Sequence, residues 1–265
     1  MTVITATRPG VGNAFDLRGH VAIITGAGQG IGRAFAKAFA AAGAVPVIAE
    51  MNAARGDAVA REIEEAGHEA IARAVDVSDA ASVDRLVAEV MDRKGRVDAL
   101  INNAAIFSTL AMRPFEQIPL EEWDAVMRVN VTGTFLCARA VAAPMRAAGR
   151  GRIINLSSST VSMGRPNYLH YVTSKAAVIG MTRSMARELG PDGVTVNAIL
   201  PSATFTEVER ATVTPQQRAA IAATQCIPRS QTPQDLIGTA LFLASDASAF
   251  VTGQAIAVDG GATHR

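Results

Sequence analysis

Two cysteines, two tyrosines, one tryptophan and four histidines are spread through 265 residues, so the side chains that build disulfide frameworks, aromatic platforms and metal centres are scarce. Cys137 lies in an apolar stretch and Cys226 in a loop-like one, a pair that predicts no disulfide and points to a reducing compartment. His20, His68, His170 and His264 are scattered without metal-ligand spacing, which argues against a catalytic metal. Charge is sparse too, at 18% of residues with a net +1, and no basic cluster stands ready for a nucleic-acid backbone. No run of about eighteen uncharged apolar residues exists to span a membrane, and the first sixteen residues lack the apolar core of a signal peptide. These absences predict a soluble, cytoplasmic chain whose partner is a small molecule, with no nucleic acid and no membrane.

What is present is alternation. Strand-like and helix-like stretches follow one another from residue 21 to 258 with no linker or internal repeat, and 49% hydrophobic content is ample for one core. The expectation is a flexible tail over 1–16 and one α/β domain over 17–265. Its strands fall near 20–25, 45–49, 70–75, 97–101, 151–158 and 194–200, with a last one at the chain's end. Helices are predicted over 31–42, 120–148 and 168–189.

Two stretches carry chemistry. Thr25-Gly26-Ala27-Gly28-Gln29-Gly30-Ile31-Gly32 follows an apolar strand and opens a helix, the context in which glycines let a backbone approach a pyrophosphate at a helix N-terminus. Glu50 ends the next strand, where a carboxylate accepts ribose hydroxyls and repels a 2′-phosphate. No Lys or Arg adjoins it in sequence, so NAD is favoured over NADP.

In Tyr171-Val172-Thr173-Ser174-Lys175, the phenol and the ammonium sit one helical turn apart, with Val172, Ala176, Ile179 and Met185 as the expected apolar stripe. A free phenol titrates at about 10, so work as an acid/base at pH 7 requires about 4 kcal/mol of phenolate stabilisation, which a close ammonium in a desolvated site can supply. Upstream, the apolar run ending at residue 156 delivers the hydroxyls Ser157, Ser158 and Ser159.

These motifs, in this order, resemble the short-chain dehydrogenase/reductase family from about residue 17 to 261. The resemblance implies a single Rossmann-type domain: a doubly wound, seven-stranded parallel sheet in order 3-2-1-4-5-6-7, with helices on both faces. It places the cofactor on Gly26, Gln29, Gly30, Ile31, Gly32, Glu50, Asp76 and Val77, and on Pro201, Thr204 and Thr206. Asn103 and Ala104 fall there too, within an Asn102-Asn103-Ala104-Ala105 run that ties strand ends together. Gln29 stands where NADP-using relatives often carry arginine.

The family's thirteen-residue spacing selects Ser158 to hydrogen-bond the reacting oxygen and Tyr171 to move the proton. Lys175 then stabilises the phenolate and contacts the nicotinamide ribose, and Asn130 holds a water leading to the lysine. The resemblance further implies a lid over 205–233 and a homotetramer.

Departures from the pattern bear on substrate. Pro201-Ser202 in place of PG, His170 before Tyr171, and Ile227-Pro228-Arg229 resemble (S)-1-phenylethanol dehydrogenases. Phe107, Met163, Tyr168, His170 and Phe205 are the expected substrate contacts, with Ile106, Thr160 and Thr204 beside them. They imply an apolar or aryl secondary alcohol and its ketone. The alternatives are a sugar or cyclic polyol dehydrogenase, a 3-oxoacyl thioester reductase, and a nucleotide-binding protein without turnover. Arg165 and Arg229 are the charged groups placed to meet an acidic substrate.

Overall fold

The structure, a computed structural model, describes residues 15–208 and 214–264; most of the expected tail over 1–16 lies outside the described residues. Apolar strands buried on both faces need a helix layer on each side. The chain supplies these in alternation. Strand β1 (Val21–Thr25), helix α1 (Gly30–Ala41), β2 (Val45–Glu50), α2 (Ala53–Glu65), β3 (Ile71–Ala74) and α3 (Ala80–Lys94) form the first half. The second runs β4 (Ala99–Asn102), α4 (Leu120–Met127), α5 (Gly133–Ala148), β5 (Gly151–Leu156), α6 (Thr160–Met163), α7 (Leu169–Leu189), β6 (Val194–Pro201), α8 (Pro215–Ala223), α9 (Gln234–Ala244) and β7 (Ala255–Val258).

All pairings are parallel, in the expected order β3-β2-β1-β4-β5-β6-β7. One core lies under α3, α5 and the end of α7, and includes Leu86, Leu136, Val141 and Leu189. The other lies under α1, α2 and α9, around Phe35, Phe39, Ile63 and Leu243. The chain order reverses between β1 and β4, which opens a crevice at their carboxyl ends. Among the described residues no helix is long and apolar enough to cross a membrane.

Two helices differ from expectation. The stretch over 120–148 is interrupted by a π turn, Arg128–Thr132, that carries Asn130 into the interior. Its side chain there closes a pair of bonds with the Ile106 backbone, and Thr134 Oγ1 donates to its carbonyl at 2.8 Å. Such turns recur at functional sites because they free one backbone group from the ladder. On α7 the buried face is Ser174, Lys175, Val178, Ile179, Thr182, Ala186 and Leu189, whereas Ala176 is exposed and Val172 and Met185 are half-buried. The expected stripe is rotated because the strand ends beneath offer polar partners as well as apolar ones.

A buried ladder shows this. Asn102 Nδ2 on β4 donates to Asn155 Oδ1 on β5, and Asn155 Nδ2 donates to Thr182 Oγ1 on α7, both at 2.9 Å. Asn155 is fully buried. Replacing it by alanine strands Asn102 Nδ2 and opens a small void, so Asn155→Ala is expected to cost about 2 to 4 kcal/mol. Urea unfolding, read as a lower midpoint at unchanged slope, checks this.

Candidate active site

At the end of β1, Thr25 Oγ1 accepts the backbone N–H groups of Asn103 and Ala104 at 3.0 Å. Asn103 Nδ2 donates in turn to Thr25 O and Gly26 O at 2.9 and 3.0 Å. The strand ends of β1 and β4 are thereby locked, as expected of the asparagine run. Inside the turn, a Cβ on Gly32 would lie 2.3 Å from Gly26 O, and Gly26 itself has φ +62°. No larger residue fits there.

Beyond the turn opens a cavity of about 400 Å³. Gly26, Gln29, Gly30 and Ile31 line it, joined by Glu50, Asp76, Val77, Asn103, Ala104, Thr204 and Thr206. Gly32 is packed inside the turn, and Pro201 faces a smaller adjoining space. The N-terminus of α1 has no side-chain cap, and a Cβ on Gly28 would meet Glu50 and Arg55 at 2.7 and 2.9 Å. A helix N-terminus that its own N-cap residue leaves unbonded, beside a glycine cradle and a carboxylate, fits a dinucleotide, with its anionic link at the helix and a ribose at the acid.

Glu50 is held in place: Oε2 accepts Gly28 N–H at 3.0 Å and Oε1 accepts Asn52 N–H at 3.1 Å. One expectation is corrected here. Although no cation adjoins Glu50 in sequence, the first turn of α2 carries Arg55 into the wall of the same cavity. Asn52, the cap of α2, accepts the Arg55 N–H and fixes that turn.

The residues expected to carry the chemistry meet where β5 ends against α7. Ser157 Oγ donates to Lys175 O at 2.8 Å and Ser159 Oγ to Pro201 O at 3.0 Å, so both flanking hydroxyls are committed to structure. Ser158 lines a cavity of about 350 Å³ together with Tyr171. Its Oγ accepts from Thr160 N at 3.2 Å and Thr160 Oγ1 at 2.9 Å, which leaves its own hydrogen to donate.

Lys175 is 4% exposed; its Nζ donates to Leu156 O at 2.8 Å and lies 5.7 Å from the Tyr171 ring centre. Burial pushes its pKa down from 10.5 to about 8, so the ammonium still predominates at pH 7. Asn130 Nδ2 donates to Ser174 Oγ at 3.1 Å, which anchors the π turn to the helix that bears the pair. A third space, of about 70 Å³, is lined by Ser158, Tyr171 and Lys175, and Phe107 stands in the walls of all three cavities.

Several expected substrate contacts need revision. His170 is completely buried and points away from the cavity, with Nε2 3.2 Å from Glu122 Oε1, because its helical position faces α4. Phe205 leaves the cavity wall as well and lies under the Arg218 guanidinium at 4.1 Å. Phe107, Met163 and Tyr168 do line it, although the Tyr168 hydroxyl is bound to Phe107 O at 2.7 Å.

Ser202 needs no glycine conformation, since among the described non-glycine residues only Asn167 has positive φ, and Ser202 lines the cavity. Ser108, Met112, Ile221 and Thr224 also stand there. A sequence signal existed for the last two: the Thr214 to Gln217 capping box marks the start of α8, which carries Ile221 and its end residue Thr224 to the cavity.

One further contact was not anticipated. Glu207 Oε1 accepts the Gly30 N–H at 3.0 Å and lies 3.6 Å from Arg33 Nη1, so a carboxylate of the β6–α8 segment occupies the anion position at the start of α1. A dinucleotide's pyrophosphate competes for the same N–H groups and is repelled by the same charge. Glu207→Gln is therefore expected to tighten nucleotide binding by about three- to tenfold, since a screened contact of this kind is worth about 1 kcal/mol. Titration of the protein's fluorescence with NAD(H) reads this directly.

Comparison with known proteins agrees with this geometry. Residues 26–263 match the family model described as enoyl-(acyl carrier protein) reductase. The chain is 42% identical to a 3-oxoacyl-[acyl-carrier-protein] reductase of Synechocystis over 250 residues, covering 92% of this chain and 97% of that one. It is 39% identical to a probable galactose dehydrogenase of Rhizobium meliloti, covering 93% and 96%. Among solved structures, a gluconate 5-dehydrogenase from Burkholderia cenocepacia J2315, in complex with NADP and tartrate, superposes with a TM-score of 0.89 at 36% identity, covering 94% of this chain and 97% of that one. The chain belongs to the short-chain dehydrogenase/reductase family and is an NAD(P)-dependent oxidoreductase.

Proposed function

We propose that this enzyme interconverts a hydroxylated secondary alcohol and its ketone, with Tyr171 as acid/base and NAD(H) as the preferred cofactor. The observation that carries the reading is the wall of the 350 Å³ cavity, where Ser108, Thr160, Ser202 and Thr224 stand with Ser158 and Tyr171; the Thr160 and Thr224 hydroxyls give their hydrogens to Ser158 Oγ and Ile221 O and keep lone pairs to accept. A hydrated substrate gives up its bonds to water on entry, and convergent hydroxyls replace them. The galactose and gluconate dehydrogenases among the relatives support the same direction. A second reading, the aryl alcohol, draws on Phe107, Met112, Met163 and Ile221 in the same wall, but loses His170 and Phe205.

A bound nicotinamide nucleotide supplies the hydride chemistry. In this reading Tyr171 Oη takes the hydroxyl proton as the alcohol is oxidised and returns it as the ketone is reduced. Ser158 donates its free hydrogen to the reacting oxygen and so fixes the carbinol beside Tyr171. The Lys175 charge favours the phenolate, and Asn130 keeps the helix that bears both groups in register.

Tyr171→Phe is expected to lower turnover by about 10²- to 10⁴-fold while leaving nucleotide affinity nearly intact. Retention of more than about a tenth of wild-type kcat would place the acid/base elsewhere. The substrate class is tested by kcat/KM at fixed NAD for galactose, a sugar alcohol, cyclohexanol, 1-phenylethanol and a 3-hydroxyacyl thioester. The sugar or sugar alcohol is expected to lead, and a lead by 1-phenylethanol or the thioester rejects the reading.

For the cofactor, the fixed Glu50 carboxylate opposes a 2′-phosphate while Arg55 offsets part of that repulsion. NAD is therefore expected to lead NADP by about tenfold in kcat/KM, equivalent to about 1.4 kcal/mol. Glu50→Ala should narrow the gap and Arg55→Ala widen it; a preference for NADP in the unaltered enzyme overturns the assignment.

A further inference from the structure

The substrate cavity has one charged side chain in its wall among the described residues, Arg165. Nearby arginines are committed elsewhere. Arg229 forms a fork with Asp235 at 2.7 and 2.6 Å, Arg113 pairs with Glu122, and Arg218 donates to Ser230 Oγ. The side-chain partner of Arg165 is the Met112 thioether sulfur at 3.7 Å, a weak acceptor.

Its placement follows from the chain on either side. Gly164 ends α6 with φ +60° and turns the backbone sharply, the Arg165 N–H closes onto Thr160 O at 3.3 Å, and Pro166 restricts the residue before it to an extended shape. Arg165 thus stands half-buried, on a backbone constrained from both sides, in a wall that also holds Tyr171 and Ser158.

A planar guanidinium is matched by a carboxylate, which accepts two parallel hydrogen bonds from it. A neutral substrate filling this space would desolvate the cation without pairing it, whereas an anion would pair it and, among the described residues, meet no acidic side chain in the wall. We infer that the substrate is a hydroxy acid or keto acid whose carboxylate is held by Arg165 while its carbinol or carbonyl carbon faces Tyr171 and Ser158. This rests on the secondary-alcohol reading and narrows it: hydroxyls around the carbinol are served by Ser108, Ser202 and Thr224, and the acid end by Arg165.

The test compares carboxylates with their uncharged amides in the NAD-loaded enzyme. The pairs 3-hydroxybutanoate, 4-hydroxypentanoate and 5-hydroxyhexanoate with the matching hydroxyamides vary the span between carbinol and charge. At the best length the acid is expected to lead its amide by tenfold or more in kcat/KM, mainly through KM. Arg165→Gln should bring that ratio towards one, and Arg165→Lys should leave it between the two. Amides equal to acids at every length, or a ratio unmoved in Arg165→Gln, would overturn the inference while leaving secondary-alcohol oxidation standing.

Calorimetric binding of pentanoate against pentanamide separates the two claims, because neither is turned over. Pentanoate binding that is lost in Arg165→Gln, with no probe alcohol oxidised, would sustain the carboxylate site and reject the alcohol reading. Equal binding of acid and amide rejects the site whatever the turnover.

Discussion

A cation has to be kept inside the protein next to a phenol, and much of the catalytic half is arranged around that requirement. Lys175 is almost wholly enclosed, and desolvation lowers its pKa to about 8, which erodes the charge but leaves the ammonium predominant at pH 7. One carbonyl, Leu156 O, receives its charge directly. The helix that carries it cannot be seated on a purely apolar seam, so its inner face is paired group by group. Ser157 takes the Lys175 carbonyl, Asn130 takes Ser174 and Asn155 takes Thr182. Each of these partners sits at a strand's carboxyl end or in the π turn, which places the chemistry at that end of the sheet.

On the nucleotide side the electrostatics are more finely balanced than a glycine loop alone suggests. Two carboxylates stand by the glycine turn, Glu50 in the cavity wall on the Gly28 N–H and Glu207 on the Gly30 N–H, with Arg55 in the same wall and Arg33 beside Glu207. A cofactor entering there exchanges one set of charge contacts for another. The site therefore discriminates by small differences between large opposing terms, and single side chains weigh heavily.

The substrate cavity is built on another principle. Ser158 and Tyr171 come to it from the sheet end and α7, whereas the rest of its wall comes from the loop after β4, from α6 and the turn that follows it, from the end of β6 and from α8. That remainder can change without touching Ser158 and Tyr171. This accounts for relatives that share the framework yet carry names as different as acyl-carrier-protein reductase and galactose dehydrogenase.

Strand alternation, the glycine turn, Glu50 and the Ser158, Tyr171, Lys175 spacing were all legible in the sequence, because each depends on residues close in the chain or on a strand feeding directly into a helix. The strand order came with the family resemblance that these motifs carry. What depends on rotation about a helix or on a long-range meeting was not. His170 is next to Tyr171 in sequence and about 100° from it around α7, so it faces Glu122 and leaves the cavity. Glu207 reaches Gly30 across 177 residues, and Arg55 shares a cavity wall with Glu50 through the turn of α2 that Asn52 caps. Arg165 and Arg229 were indistinguishable as sequence. One lies six residues from an aspartate that claims it and the other stands between a glycine and a proline that hold it in the cavity wall, a distinction that only packing could make.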